Sequence, residues 1–511
     1  MNRTSGILLP ISSLPSKYGI GCFSKEAYDF VDWLKDAGQC YWQILPLVPT
    51  SYGDSPYQSF STYAGNPYFI DLEKLIEEGV LTREECDEVD FGNNEKDIDY
   101  EKIYNARYIL LRKAYEKSNI SQNHEYNKFV HENEWWLKDY ALFMAVKGRF
   151  EGKQWTEWAE DIRLRYGYAI EYYQRELYFD IEFQQYLQFK FYEQWIDLKK
   201  YANENGVKII GDIPIYVAMD SADVWANPEL FLLDAENVPV AVAGCPPDGF
   251  SATGQLWGNP LYRWDYHQAT GYYWWMSRLN YCFNLYDVVR IDHFRGFDEY
   301  YSIPYGETTA INGKWVKGPG ITLFWKMWEV LGQKPVIAED LGYMTESVKQ
   351  LVQDSGFPGM KVLEFAFDER DTGNASDYLP HNYCENSIAY TGTHDNETIN
   401  GWLKNISENE QKMVREYLNA KHTPDDELYW SIICEVMKSH AHMCIIPLQD
   451  YLGCNNDSRM NQPSTVGKNW RWRVTKKELS KEIQKEIRDI TRRYGRLCWQ
   501  WNKLLDSKQD K

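Results

Sequence analysis

Residues 208–217 read KIIGDIPIYV and residues 334–340 read KPVIAED. Both runs are short and largely apolar, and each carries a carboxylate, Asp212 midway along the first and Glu339 near the end of the second. Near-continuous apolar character over so few residues is the pattern of a parallel strand covered on both faces, whereas a half-exposed strand alternates. Working outward, runs of the same kind recur at 6–11, 41–47, 287–294, 360–367, 387–395 and 443–452, which with 207–217 and 335–340 makes eight. Helix-like stretches lie between many of them. The stretch 24–38 starts at Ser24, sets Ala27, Phe30, Val31 and Leu34 on one stripe and stops at Gly38. Strand then helix, repeated, predicts an α/β chain folded as a (β/α)8 TIM barrel.

The spacing of the runs is uneven. Roughly 160 residues separate the second run from the third, far more than one crossover requires. A mostly helical insertion is therefore expected at about 48–200, ending in a long aromatic helix that closes on Gly206. A second insertion, at 218–286, holds Pro228, Pro246, Pro247, Gly249, Gly254, Gly258 and Pro260 and reads as a loop-rich wall of a cleft. No internal repeat and no Ser/Gly linker divides the chain, so residues 1–511 are expected to form one catalytic barrel domain with two insertions.

Composition narrows the partners. The formal net charge is −20 and no basic cluster interrupts the surplus, which disfavours nucleic acid and anionic membrane surfaces. No apolar run reaches the ~18 residues of a membrane span, and the start of the chain carries no signal-peptide core, so a cytoplasmic protein is expected. Ten cysteines occur without a CxxC pair. His440, His442 and Cys444 alternate without a second ligand pair, so neither a disulfide scaffold nor a metal site is expected. No phosphate loop points to a cofactor, and none is expected.

In such barrels the reacting groups project from the carboxyl ends of the strands. The fourth run ends in VVRIDHFRG (288–296), the fifth in VIAED (336–340) and the seventh in AYTGTHDNET (389–398). Asp292, Glu339 and Asp395 thus occupy corresponding positions on three strands. Period-two alternation puts Arg290 beside Asp292, which favours an ionised, nucleophilic carboxylate. Glu339 follows only apolar residues, a setting that raises a carboxyl pKa and suits an acid. One ionised and one protonated carboxyl is the pairing that glycosidic-bond chemistry requires. The chain has 21 Trp, 39 Tyr and 21 Phe, and those near turns, Tyr52, Tyr57, Phe60, Tyr63 and Trp257, are candidates to cover the apolar faces of sugar rings.

Eight ordered motifs carry a resemblance over essentially the whole chain: GILLPISSLPSKYGIG (6–21), YGDSPYQSFSTYAGNPY (52–68), GDIPIYV (211–217), PPDGFSATGQLWGNPLY (246–262), RIDHFRG (290–296), IAEDLG (337–342), TGTHDNET (391–398) and RMNQPSTVGKNWRWR (459–473). The sequence resembles the 4-α-glucanotransferases of the amylomaltase type, glycoside hydrolase family 77 of the α-amylase clan. The resemblance implies a retaining transfer of α-1,4-glucan segments between maltooligosaccharides, with Asp292 as nucleophile, Glu339 as general acid/base and Asp395 as the third carboxylate. It further implies that Arg290 orients Asp292, that His394 hydrogen-bonds the sugar at the cleavage point and that Tyr57 stacks on that ring. Gln255 and Trp257 become acceptor contacts, Asp212 lies close by, and Tyr52 belongs to a secondary glucan-contacting surface. An α-1,4-glucan hydrolase with the same carboxylates is the alternative; a non-catalytic glucan-binding protein would have lost them. Three departures from the family pattern stand out: Gly249, where relatives carry an aromatic residue, and Ser464 and Lys468, where glycines are expected.

Overall fold

The structure is a computed structural model that describes residues 3–247, 251–342, 344–369 and 377–498. Eight parallel strands close into a barrel: β1 (Thr4–Leu8), β2 (Tyr41–Gln43), β3 (Lys208–Pro214), β4 (Val288–Asp292), β5 (Val336–Ala338), β6 (Gly359–Val362), β7 (Ser387–Tyr390) and β8 (Met443–Pro447). Each pairs with its successor in chain order, and β8 closes on β1 with Thr4 opposite Met443 and Leu8 opposite Pro447. The barrel strands coincide with the eight apolar runs. Their residues are buried on both faces, as in Ile209, Ile210, Val289 and Ile291, each without exposed surface.

The runs overshoot the strands at their carboxyl ends. Met360 to Phe367, for example, leaves the sheet after Val362 and continues as a 3-10 turn, Leu363–Phe365, in which Leu363 stays buried without pairing. The helix Lys25–Asp36 buries Ala27, Phe30, Val31 and Leu34, and Gly38 ends the segment at φ 75°, a conformation that costs glycine little.

Between β2 and β3 the chain is largely helical, with the longest helices at Tyr100–Ser118, Glu134–Arg149 and Tyr178–Glu204. The last of these does more than fill space. Two of its buried glutamines read the backbone of the preceding loop: Gln188 accepts from Gly65 N (2.6 Å) and donates to Gly65 O (3.0 Å), and Gln194 accepts from Asp71 N (2.7 Å). A Cβ on Gly65 would fall 2.1 Å from the Phe191 ring of that helix, so only glycine allows the approach. The segment carrying Tyr57 is thereby fastened over the mouth of the barrel.

The stretch 218–286 holds more regular structure than its prolines and glycines suggest. Ala241–Cys245 and Gln255–Pro260 pair antiparallel with each other, and Ala241–Cys245 pairs with Glu299–Pro304, which pairs in turn with Lys314–Lys317. This four-stranded sheet draws on chain from both sides of β4. Asn259 donates to Val217 O (2.8 Å), tying the sheet to the end of β3. Among the described residues no helix is long and apolar enough to cross a membrane.

Candidate active site

The alternation of β4 sends Arg290 and Asp292 to one side, where Arg290 is almost wholly buried. Its guanidinium is shared. Nη1 lies 2.8 and 2.6 Å from the two oxygens of Asp212 and 3.0 Å from Asp292 Oδ1, and Nε faces Met360 Sδ at 3.3 Å. Asp212, on β3, has no exposed surface. The resemblance implies a substrate-binding place for Asp212; in the structure it is absent from the cleft lining and meets two groups beside the cleft, Arg290 and Tyr57, whose hydroxyl donates to Oδ2 at 2.9 Å.

Asp292 is 28% exposed. Burial raises its carboxyl; Arg290 and His394 pull it back, and Asp212 and Asp395 push it further, for a net upward shift. Arg290 thus favours the charged form, as its place beside Asp292 implies, against a larger opposing effect of burial. The guanidinium is divided between two carboxylates, and desolvation wins.

Glu339 follows β5. Its Oε2 accepts from His293 N (2.7 Å) and its Oε1 from Leu341 N (2.9 Å). His293 can offer that N–H because its backbone turns left-handed at φ 54°, directly after the strand. Burial, reinforced by the charge of Asp292, nonetheless pushes Glu339 up to about 7.

Asp395 faces the opposite balance. Burial raises its pKa, but His394, with Nε2 3.4 Å from Oδ2, and Asn461, donating to Oδ1 at 2.6 Å, outweigh it and hold the carboxyl at about 2. Arg459 donates to the Asp395 carbonyl at 2.6 Å. His394 stacks on Tyr57, with ring centres 4.9 Å apart and planes 17° apart, and Trp470 stands 5.8 Å from Tyr57.

Of these groups, Tyr57, Asp292, His293, His394, Asp395, Asn461 and Trp470 line one open cleft of about 1550 Å³, solvent at its mouth included, with Trp257 in the same wall, while Glu339, Arg290 and Asp212 stand behind that lining. Gln255 lies in the wall formed by the antiparallel sheet and accepts from Trp257 Nε1 at 3.0 Å; Trp257 in turn meets the His293 ring edge-on at 4.9 Å. Of the other aromatic candidates, Tyr63 is buried against Trp135 and Tyr281, and Phe60 packs on the core beneath Lys147. Neither faces the cleft. Tyr52 begins a 3-10 turn, but its side chain lies outside the described residues, as does Gly249. Ser464 lines the cleft at φ 64°, the region that favours glycine, whereas Lys468 is not in that region.

The family model described as 4-alpha-glucanotransferase, glycoside hydrolase family 77, matches residues 9–479. The chain belongs to the 4-alpha-glucanotransferase family. It is 50% identical over 488 residues to the 4-alpha-glucanotransferase of Clostridium butyricum, covering 95% of this chain and 99% of that one. It is 47% identical over 498 residues to the enzyme of Streptococcus pneumoniae serotype 4, covering 97% and 98%. Among solved structures, the amylomaltase from Streptococcus agalactiae in complex with acarbose superposes with a TM-score of 0.93 at 43% identity, covering 97% of this chain and 99% of that one. The amylomaltase from Corynebacterium glutamicum, at 20% identity and a TM-score of 0.73, shares the fold.

Three residues of the candidate site in this 4-alpha-glucanotransferase are not singled out by the sequence. Asn461 and Trp470 lie in RMNQPSTVGKNWRWR, so the motif was visible, but nothing in it said which side chain reaches Asp395. His293 adjoins Asp292, and only its backbone conformation shows that it serves Glu339.

Proposed function

We propose that this 4-alpha-glucanotransferase moves α-1,4-glucan segments between maltooligosaccharides by two displacements at one anomeric carbon. Asp292 attacks C1 while Glu339 gives its proton to the departing glycosidic oxygen, leaving the sugar esterified to Asp292. The 4-hydroxyl of an incoming glucan then attacks C1, its proton passes to Glu339, and the Asp292 carboxylate is released. Asp395, ionised throughout, accepts hydrogen bonds from ring hydroxyls. Arg290 orients Asp292, while His394 and Tyr57 hold the sugar at the cleavage point. Gln255 and Trp257 receive the acceptor, and Tyr52 belongs to a secondary glucan-contacting surface.

What supports this reading most is the Glu339 carboxyl, pushed up to about 7 beside an Asp292 tied to a guanidinium. An acid and a nucleophile coexist at neutral pH because Arg290 pairs directly with Asp292, whereas for Glu339 burial and the Asp292 charge outweigh the pull of the same guanidinium. Transfer over hydrolysis follows from the wall containing Trp257, which raises the local concentration of a sugar acceptor and displaces water. None of the ten cysteines is joined in a disulfide, which fits a cytoplasmic location.

Incubation with maltotriose alone tests the assignment. A ladder of longer oligosaccharides plus glucose, at constant total reducing ends, is the expected result. Rising reducing ends without longer products would make the protein an α-1,4-glucan hydrolase.

A further inference from the structure

Just below the cleft, a second acid stands at a strand end. Glu364 lies in the 3-10 turn Leu363–Phe365 after β6, and it is absent from the cleft wall. Its Oε2 accepts from Asn396 Nδ2 at 3.1 Å. Asn396 Oδ1 accepts in turn from Thr393 N (2.9 Å) and Thr393 Oγ1 (2.8 Å), and that hydroxyl oxygen accepts from Asp395 N at 3.2 Å. The polarity of the chain is fixed from one end. A backbone N–H only donates, so Asn396 must turn its oxygen to Thr393 and its nitrogen to Glu364. Glu364 must therefore accept.

We infer that Glu364 is a positioning residue for Asp395, holding the 391–398 turn in the shape that presents the third carboxylate to the cleft.

The side chain does this as a neutral acid. Its second oxygen, Oε1, is buried without a hydrogen-bond partner, and it presses on Gly392, where a Cβ would come within 2.7 Å of it. A carboxylate there would carry charge on an oxygen that no donor reaches, at high cost. The charged groups around it agree. Asp450 and Glu397 repel a carboxylate, and Arg459, a cation in range, spends its guanidinium on Asp395 O (2.6 Å) and Asn461 O (2.7 Å). Burial and the Asp450 carboxyl accordingly push Glu364 well above the ordinary carboxylate range. Asp450, after β8, takes the other end of the segment, accepting from Thr391 Oγ1 at 2.5 Å and Ile399 N at 2.9 Å. Two strand ends thus suspend the residues between them.

The inference rests on the proposed role of Asp395, and the test separates the two. Initial rates of maltotriose disproportionation by the full chain give kcat and KM for Glu364→Gln, Glu364→Leu, Asp395→Asn and the double variant Glu364→Leu/Asp395→Asn. Glu364→Gln supplies a neutral carbonyl oxygen to Asn396 and keeps kcat within about threefold. Glu364→Leu lowers kcat by about 10- to 100-fold with KM within about threefold, because ground-state contacts survive while the third carboxylate drifts. In the double variant the Glu364→Leu loss disappears, since the residue acts through Asp395. Gly392→Ala, which crowds Oε1 without removing it, gives the same pattern of lost kcat and serves should Glu364→Leu fold poorly. Full kcat in Glu364→Leu, a Gln variant as damaged as the Leu variant, or losses that multiply in the double variant would each overturn the inference. Undiminished kcat in Asp395→Asn would instead remove Asp395 from the reaction, and the positioning role with it.

Discussion

The two sides of the cleft treat the same functional group in opposite ways. On the side built by β3, β4 and β5, Asp292 and Glu339 sit where burial outweighs the available cation, and both carboxyls are pushed up. On the side built by the 391–398 turn, Asp395 has His394 Nε2 at 3.4 Å and the Asn461 amide at 2.6 Å on its two oxygens and is held at about 2. Burial raises the pKa on both sides; the number of partners per carboxylate decides the outcome. One guanidinium divided between Asp212 and Asp292 stabilises less charge than His394 and Asn461 focused on one acid. The different acidities of three chemically similar side chains are thus set by neighbours rather than by residue type.

The most severe way to break this contrast is Asp292→Ala. It removes the atom that bonds to the sugar and little contact surface, so turnover should fall by about 10⁴-fold or more while equilibrium binding of maltoheptaose is nearly retained. Turnover at even a tenth of the original rate would end the nucleophile assignment. Next in size, Glu339→Gln should cost about 10³-fold on maltotriose and far less on an α-maltosyl fluoride, whose leaving group needs no proton. The pH profile carries the same information. The acid must be protonated to act, so wild-type activity should decline as pH rises through about 7, as the Asp292–Glu339 pair loses its shared proton. In Glu339→Gln that decline should vanish, and its persistence would place the titration elsewhere. The smallest effect is expected on the other side. Asn461→Ala deletes the 2.6 Å donor to Asp395 and lets burial regain ground; kcat should drop about tenfold with little change in KM. A change in KM alone would indicate that Asn461 serves the ground-state sugar instead.

Much of this was legible in the sequence, and the exceptions have physical causes. The barrel could be read because parallel strands buried on both faces leave continuous apolar runs, and because strand ends are where barrels expose ionisable groups. The run lengths were less legible: residues such as Leu363 are as buried after the strand as within it, and hydrophobicity does not report pairing. The four-stranded sheet was missed since its strands flank β4 in the chain, and Ala241–Cys245, with two alanines and a glycine, carries little strand signal. The three acids and Arg290 could be named from spacing. That Arg290 serves two masters could not, because Asp212 lies 78 residues away and meets it only once the barrel closes. Tyr63 was misjudged as a platform because a loop residue next to Gly65 can still be drawn into the core by the helix above it.

The divided guanidinium has a consequence over a whole turnover. In the proposed cycle Asp292 gives up its negative charge on bonding to the sugar and regains it on release, so its salt link with Arg290 is made and lost once per round. A cation buried this deeply would be left stranded at the midpoint if Asp292 were its sole counterion. Asp212, wholly buried and 2.6 Å away, remains as a standing counter-charge. The arginine therefore has no reason to swing when the ester forms. The cavity that held the carboxylate is intact when the acceptor arrives, and the second half of the reaction begins in the geometry that ended the first.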